Sequence, residues 1–140
     1  MSPTPPTGQA RRTLTVLTVD DQPQMRRLVY HALKARYIVI EAGDADAAIE
    51  ALERGGVDLV LLDLHLPPRP DSPAEGLRIQ QRVHDLAPGV PVVVLSSSTD
   101  PELRAALRER GVRGFLPKPV NPDDLGRVVD EVLGECGSEP

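Results

Sequence analysis

The fold is decided by residues 14–33, LTVLTVDDQPQMRRLVYHAL, where an apolar, β-branched run passes directly into two carboxylates and then into a helical pattern. Residues Thr13–Val19 predict a buried strand, and the apolar stripe within Gln22–Lys34 predicts an amphipathic helix. Asp20 and Asp21 lie at the junction. Two like charges about 4 Å apart repel by about 4 kcal/mol at an effective dielectric near 20. The pair therefore indicates a role other than holding the fold together.

The alternation of strand and helix occurs five times along the chain. Further strands are predicted at Tyr37–Glu41, Asp58–Leu62, Val90–Ser98 and Gly114–Leu116. Helix starts are marked by the predicted caps Asp44, Asp100 and Asn121, the last two followed by Pro101 and Pro122. Strands that alternate with helices through short connections predict an α/β fold, a doubly wound parallel sheet with helices on both faces.

Length and composition point to one domain that acts inside the cell. For the 140 residues we expect a flexible leader at 1–12, a domain at 13–133 and a tail or linker at 134–140. The net charge of −5 argues against nucleic acid as a partner of this segment. A lone cysteine, Cys136, rules out an internal disulfide, and no apolar run is long enough for a membrane span. We therefore expect a cytoplasmic location.

Polar side chains gather at the carboxyl ends of the predicted strands. Asp20 and Asp21 follow the first strand, Asp63 the third, Ser96 the fourth and Lys118 the fifth. Simpler explanations exist, because Asp21 could cap the first helix, although this accounts for only one carboxylate of the pair. Asp63 could begin a turn, Ser96 could serve in a turn or a cap, and Lys118 could be a solvated lysine. Independent roles of that kind would scatter over both edges of the sheet. The joint placement predicts one site, since ligands bind outside the carboxyl ends of parallel strands.

The chemistry of this group favours a hard cation. Three neighbouring carboxylates need a counter-charge, and Mg²⁺ prefers oxygen ligands that include one or two carboxylates. Neither a calcium-binding loop nor a zinc ligand spacing is present, and there is no Gly-rich phosphate loop. A carboxylate can also attack phosphorus to give an aspartyl-phosphate.

Four motifs, in order, resemble the receiver domains of two-component response regulators. They are VDD at Val19–Asp21, LLDLHLP at Leu61–Pro67, VVVLSS at Val92–Ser97 and GFLPKP at Gly114–Pro119. The resemblance extends over Thr13–Leu133. It implies a flavodoxin-like sheet of five parallel strands in the order 2-1-3-4-5 with five flanking helices.

The resemblance also implies a role for each residue. Asp63 would be the phosphoacceptor, and Mg²⁺ would be bound by Asp20, Asp21, Asp63 and the backbone carbonyl of His65. The other implied residues are Lys118 and Ser96 against the phosphoryl group, Ser96 and Phe115 as the switch pair, a cis bond before Pro119, and His65 and Ser98 as positions that tune the phosphoryl lifetime. Without the resemblance, Phe115 would be interpreted as a core residue.

The sequence departs from the family pattern after the third strand. Receivers usually have a glycine soon after the proline of the third motif, whereas here Gly76 comes late, after a Pro-rich loop that begins at Pro67. The loop is interpreted either as a tolerated surface insertion or as a determinant of kinase choice.

Three functions are possible for these residues, and the residues distinguish between them. A phosphorylation-switched signalling module, which is no enzyme beyond its own phosphorylation and dephosphorylation, fits all the motifs. A Mg²⁺-dependent phosphatase of the haloacid dehalogenase type would need an aspartate where His65 stands, and an interaction domain that has lost phosphorylation would lack some of the site residues. The module's expected partners are a sensor histidine kinase or phosphotransfer protein, an output domain or downstream protein such as a transcription regulator, and a second copy in a phosphorylation-dependent homodimer.

Overall fold

The computed structural model describes residues 13–69, 71–97 and 100–137, with side chains described as far as residue 134. The strands are β1 (Thr15–Val19), β2 (Ile38–Ala42), β3 (Leu59–Asp63), β4 (Val92–Ser96) and β5 (Val112–Pro117). The helices are α1 (Pro23–Leu33), α2 (Ala45–Arg54), α3 (Ala74–Leu86), α4 (Pro101–Glu109) and α5 (Pro122–Gly137). The expected leader at 1–12 lies outside the described residues.

The five strands form one parallel sheet in the order β2-β1-β3-β4-β5. This confirms the predicted fold class and strand order. β1, β3 and β4 are buried along their whole length, because a parallel sheet with helices on both faces leaves no solvated side on its central strands.

Each face of the sheet carries its own apolar core. One core includes Leu17, Leu62 and Val94 with the buried residues of α2 and α3, and the other includes Val16 and Leu61 with residues of α1 and α5. Successive residues of a strand point to opposite faces, so neighbours such as Leu61 and Leu62 belong to different cores. In the part of the chain that the structure describes, no helix combines the length and the apolar character that a membrane span requires.

Polar caps begin three of the helices where the sequence predicted them. The Asp44 carboxylate accepts from Ala47 N at 2.8 Å, Asp100 accepts from Glu102 N at 3.0 Å, and Asn121 accepts from Asp123 N at 2.8 Å. α1 differs, because its N-cap is Gln22 and no side chain caps it. The helix-cap explanation for Asp21 is therefore wrong.

Several boundaries differ from the sequence prediction. The sequence pattern predicts a helix over Leu77–Leu86, but α3 begins at Ala74, because the Ser72 hydroxyl accepts from Ala74 N at 3.1 Å and so supports an earlier first turn. β5 is longer than Gly114–Leu116, because its pairing with β4 extends from Val112 to Pro117. α5 continues to Gly137, four residues past the expected domain end at Leu133.

Candidate metal and phosphoryl site

Backbone contacts fix two carboxylates side by side at the carboxyl edge of the sheet. Asp20 follows β1, its amide donates to Ala42 O at 3.0 Å, and its Oδ1 accepts from Gln22 N at 2.9 Å. Asp63 is the last residue of β3, and its Oδ1 accepts from His65 N at 3.0 Å. Because β1 and β3 are neighbours in the sheet, these two bonds aim adjacent carboxylates at the same space.

A third carboxylate and one ammonium complete the group. One oxygen from each of Asp20, Asp21 and Asp63 lies within 4.8 Å of the others, with Asp21 exposed and the other two buried. Lys118 Nζ lies 2.9 Å from Asp20 Oδ2 and 3.2 Å from Asp63 Oδ2. The Lys118 amide also donates to Ser96 O at 3.1 Å, which holds the end of β5 against the end of β4. The structure thus brings five residues to one edge of the sheet, as the sequence predicted: Asp20, Asp21, Asp63, Ser96 and Lys118.

Burial and charge set the protonation of the group. Burial raises the pKa of the Asp63 carboxyl, and the hydrogen bond from His65 N and the Lys118 charge offset only part of that rise. Burial by itself would lower the pKa of the Lys118 ammonium, but its hydrogen bond to Asp20 and its attraction to Asp63 together raise it. Lys118 therefore stays charged, while Asp63 needs further positive charge to ionise as readily as an exposed aspartate.

The group opens into a polar cleft of about 560 Å³. Its lining includes Asp63, Asp21, Lys118 and the predicted His65, together with residues that the sequence analysis did not assign, Gln22, Asp71 and Ser97. Ser97 is the last residue of the VVVLSS motif and Gln22 directly follows the VDD motif, so their places in the chain were a usable signal. Asp71 is brought to the cleft by the loop that follows β3, and only the loop's length pointed to it.

The residues of the expected switch lie beside this cleft. Ser96 is buried at the end of β4, and it lines a small cavity of about 10 Å³ with Phe115, Leu64 and Arg104. The Phe115 ring is half-buried, and the guanidinium carbons of Arg104 and Arg108 lie 5.2 Å and 5.0 Å from its centroid. Two guanidinium groups thus lie near the ring, which also packs against the core as the simpler interpretation of Phe115 expected.

Other sequence expectations have mixed outcomes. The Lys118–Pro119 bond is cis, as the resemblance implied, and Pro67–Pro68 is cis as well. Ser98 lies outside the described residues. Glu41 in β2 forms an ion pair with Arg26 at 3.2 Å. Arg26 Nη1 also donates to Asp20 O at 2.6 Å. Arg26 therefore stabilises the backbone at Asp20, a contact that no sequence motif indicated.

The donor set fits a magnesium ion by its chemistry. All three gathered side chains offer carboxylate oxygens, and Mg²⁺ takes oxygen ligands together with water. Over residues 13–69, 71–97 and 100–134, this is also the one cluster of three or more His, Cys, Asp or Glu side chains close enough to share an ion.

Comparison with known proteins places this geometry in a family. The model of the response regulator receiver domain matches residues 16–130. The transcriptional regulatory protein GlrR of Escherichia coli is 30% identical over 119 residues, which cover 84% of this chain and 26% of GlrR. A protein-glutamate methylesterase/protein-glutamine glutaminase of Paramagnetospirillum magneticum is 32% identical over 136 residues, 92% of this chain and 33% of that protein. The chain thus spans about a quarter to a third of the length of these curated relatives.

A solved structure agrees with the sequence matches. The CheY-like response regulator receiver domain protein of Methanospirillum hungatei superposes with a TM-score of 0.83 at 26% identity, covering 92% of this chain and all of that one. The alternative of a phosphatase of the haloacid dehalogenase type has no support in these matches. The chain belongs to the response regulator receiver family.

Proposed function

We propose that Asp63 is the phosphoacceptor of this receiver. A carboxylate oxygen of Asp63 attacks the phosphorus of a phosphohistidine on a sensor histidine kinase or phosphotransfer protein. The new bond is P–O, the P–N bond breaks, and its electron pair returns to the imidazole nitrogen. Asp63 is suited to this role because it stands at the floor of the open cleft, oriented by the hydrogen bond from His65 N.

The remaining charged residues hold the phosphoryl group and its counter-ion. Asp20, Asp21, Asp63 and the His65 backbone carbonyl would hold Mg²⁺, which supplies positive charge to the phosphoryl oxygens when bound. Lys118, now paired with Asp20 and Asp63, would turn its ammonium to a phosphoryl oxygen. Ser96 would donate its hydroxyl to another oxygen from the end of β4.

The same site also ends the signal. A water attacks phosphorus, the P–O bond to Asp63 breaks, and the products are inorganic phosphate and the restored carboxylate. The His65 side chain lies in the cleft through which that water enters, so we propose that it tunes the lifetime of the phosphorylated state. The same role for Ser98 follows from the family resemblance alone.

The output is a change of shape on the face formed by α4, β5 and α5. If the Ser96 hydroxyl moves toward a phosphoryl oxygen, the cavity between Ser96 and Phe115 enlarges and accepts the ring. The Phe115 ring would then move away from the guanidinium groups of Arg104 and Arg108. Residues on this face, rather than those in the cleft, would report the phosphorylated state to a partner.

The partner is proposed from the relatives. GlrR is by its name a transcriptional regulatory protein, and the relative from Paramagnetospirillum is an enzyme. We propose that this receiver acts in the cytoplasm and controls an output domain or a separate protein, with transcription regulation the favoured output. A phosphorylation-dependent homodimer is a further proposal, and no direct contact with nucleic acid is expected because the net charge is −5.

The observation that carries the proposal is the gathering of three carboxylates, with one oxygen of each within 4.8 Å of the others, beside the half-buried Lys118. The test is intact mass spectrometry after incubation with a small phosphodonor, with and without Mg²⁺. Wild type and the control Asp85→Asn should gain the mass of one phosphoryl group only with Mg²⁺, and Asp63→Asn should gain none. Equal labelling of Asp63→Asn and wild type would refute the assignment.

A further inference from the structure

The long loop after β3 is anchored at both of its ends. Leu64 is fully buried just after β3, and Gly76 N in the first turn of α3 donates to Leu64 O at 3.2 Å. A Cβ on Gly76 would lie 2.5 Å from Leu64 Cα, so the helix already touches the strand end as closely as a backbone can. The loop between these anchors therefore does not separate α3 from the end of β3.

Two backbone hydrogen bonds form turns within this loop. Arg69 N donates to Leu66 O at 3.0 Å, and Ser72 N donates to Arg69 O at 3.1 Å. Leu66 is fully buried and ties the first turn to the core. Asp71 lies in the second of these turns, directly before Ser72, and is thereby held at a defined place.

That place is the wall of the phosphoryl cleft. Asp71 lines the cleft together with Asp21, Asp63 and Lys118. The Asp71 side chain is exposed, and among the described residues no ion pair or hydrogen bond neutralises its charge. Arg69 of the same loop does not line the cleft, so Asp71 adds a negative charge to the wall of a site that already holds three carboxylates and one ammonium.

We propose that Asp71 is a specificity-determining residue that acts through its charge. It strengthens the binding of a divalent cation, and it slows the entry of free dianionic phosphodonors more than that of donors with less negative charge. A donor whose phosphohistidine has a basic side chain beside it would not suffer this repulsion. This inference rests on the proposed function, because it assigns Asp71 to the same site.

The size of the effect follows from Coulomb's law. For charges about 10 Å apart in water, it gives about a twofold change for each unit of ligand charge. Removing the Asp71 charge should therefore weaken Mg²⁺ binding about fourfold at low salt. It should accelerate phosphorylation about fourfold with a dianionic donor and about twofold with a monoanionic one. High salt should remove all three effects, because the Debye length falls to about 3 Å at 1 M.

The experiment compares Asp71→Asn with Asp85→Asn, an exposed aspartate at the far end of α3. Titration calorimetry of the unphosphorylated chain measures Mg²⁺ affinity. Phosphorylation rates are measured with acetyl phosphate, a dianion, and phosphoramidate, a monoanion at neutral pH, at low and high salt.

The inference predicts weaker Mg²⁺ binding and a larger gain with acetyl phosphate for Asp71→Asn alone, both lost at high salt. It is overturned if Asp71→Asn matches wild type at low salt, if Asp85→Asn has the same effects, or if the effects persist at high salt. A wild-type chain that takes up no phosphoryl group from either donor refutes the proposed function instead. In that case the Mg²⁺ titration still decides whether Asp71 acts on the cation.

Discussion

Replacing Lys118 with methionine should destabilise the metal-free protein. The substitution keeps most of the volume and removes the only ammonium beside two carboxylates whose side chains are 1% and 7% exposed. Breaking a buried ion pair costs about 3–5 kcal/mol, and we expect about 3 kcal/mol here because 19% of the Lys118 side chain is exposed. That loss leaves a domain of ordinary stability, about 5–15 kcal/mol, still folded.

The loss of stability in Lys118→Met should depend on pH, in a direction set by the pKa of Asp63. Burial raises the pKa of Asp63, and removing Lys118 should raise it further because an attractive charge is lost. A carboxyl whose pKa is raised in the folded state favours folding at acid pH, and this advantage disappears as the pH rises through the folded-state pKa. The deficit of Lys118→Met should therefore be larger at about pH 8 than at about pH 5. Mg²⁺ at neutral pH should recover part of it, because the ion replaces the lost positive charge.

The assay is urea unfolding of wild type, Lys118→Met and Lys34→Met at both pH values, with and without Mg²⁺. Lys34 is the only other lysine in the sequence, and it is exposed at the end of α1. Its replacement should change stability by no more than about 0.5 kcal/mol. Equal losses for the two variants, or a Lys118→Met deficit that does not change with pH, would refute the reasoning.

Two further predictions concern packing and the switch. Gly76→Ala should lose about 2–3 kcal/mol in urea unfolding, because the new methyl would lie 2.5 Å from Leu64 Cα, whereas Gly134→Ala, which meets nothing within 4 Å, should lose nothing. Equal stabilities of the two variants would contradict the close contact. Phe115 is the only phenylalanine, so fluorine NMR of fluorophenylalanine-labelled protein observes it alone. Removing both guanidinium contacts in Arg104→Ala/Arg108→Ala should raise the population of its inward resonance about fivefold to thirtyfold without phosphorylation; an unchanged spectrum would show that these contacts do not hold the ring.

The fold and the centre of the site could be predicted from local patterns. β-branched runs followed by amphipathic stretches gave the order of strands and helices, and parallel strands bring their carboxyl ends to one edge whatever the sequence distance between them. Asp20, separated by 43 residues from Asp63, could therefore be placed beside it before any coordinates were known. Asp44 and Asn121 were recognisable as caps because a cap interacts with its own helix.

The contacts that were missed depend on packing between distant segments. Arg26 reaches the carbonyl of Asp20 from the first turn of α1, and the neighbouring Arg27 is the same residue type. Arg104 and Arg108 flank Phe115 only because α4 packs across β5. Asp71 depends on the path of a loop whose ends are fixed by Leu64 and Gly76. A pattern of residue types does not contain these distances.

The central claim is that the phosphoryl group is bound covalently to Asp63, and borohydride trapping tests it most directly. Reduction of an aspartyl-phosphate converts that aspartate to homoserine, which peptide mass mapping locates in the chain. After treatment with a phosphodonor and Mg²⁺, the account predicts homoserine at position 63 and at neither Asp20 nor Asp21. Homoserine at one of those neighbours, or at none of the three, would contradict it.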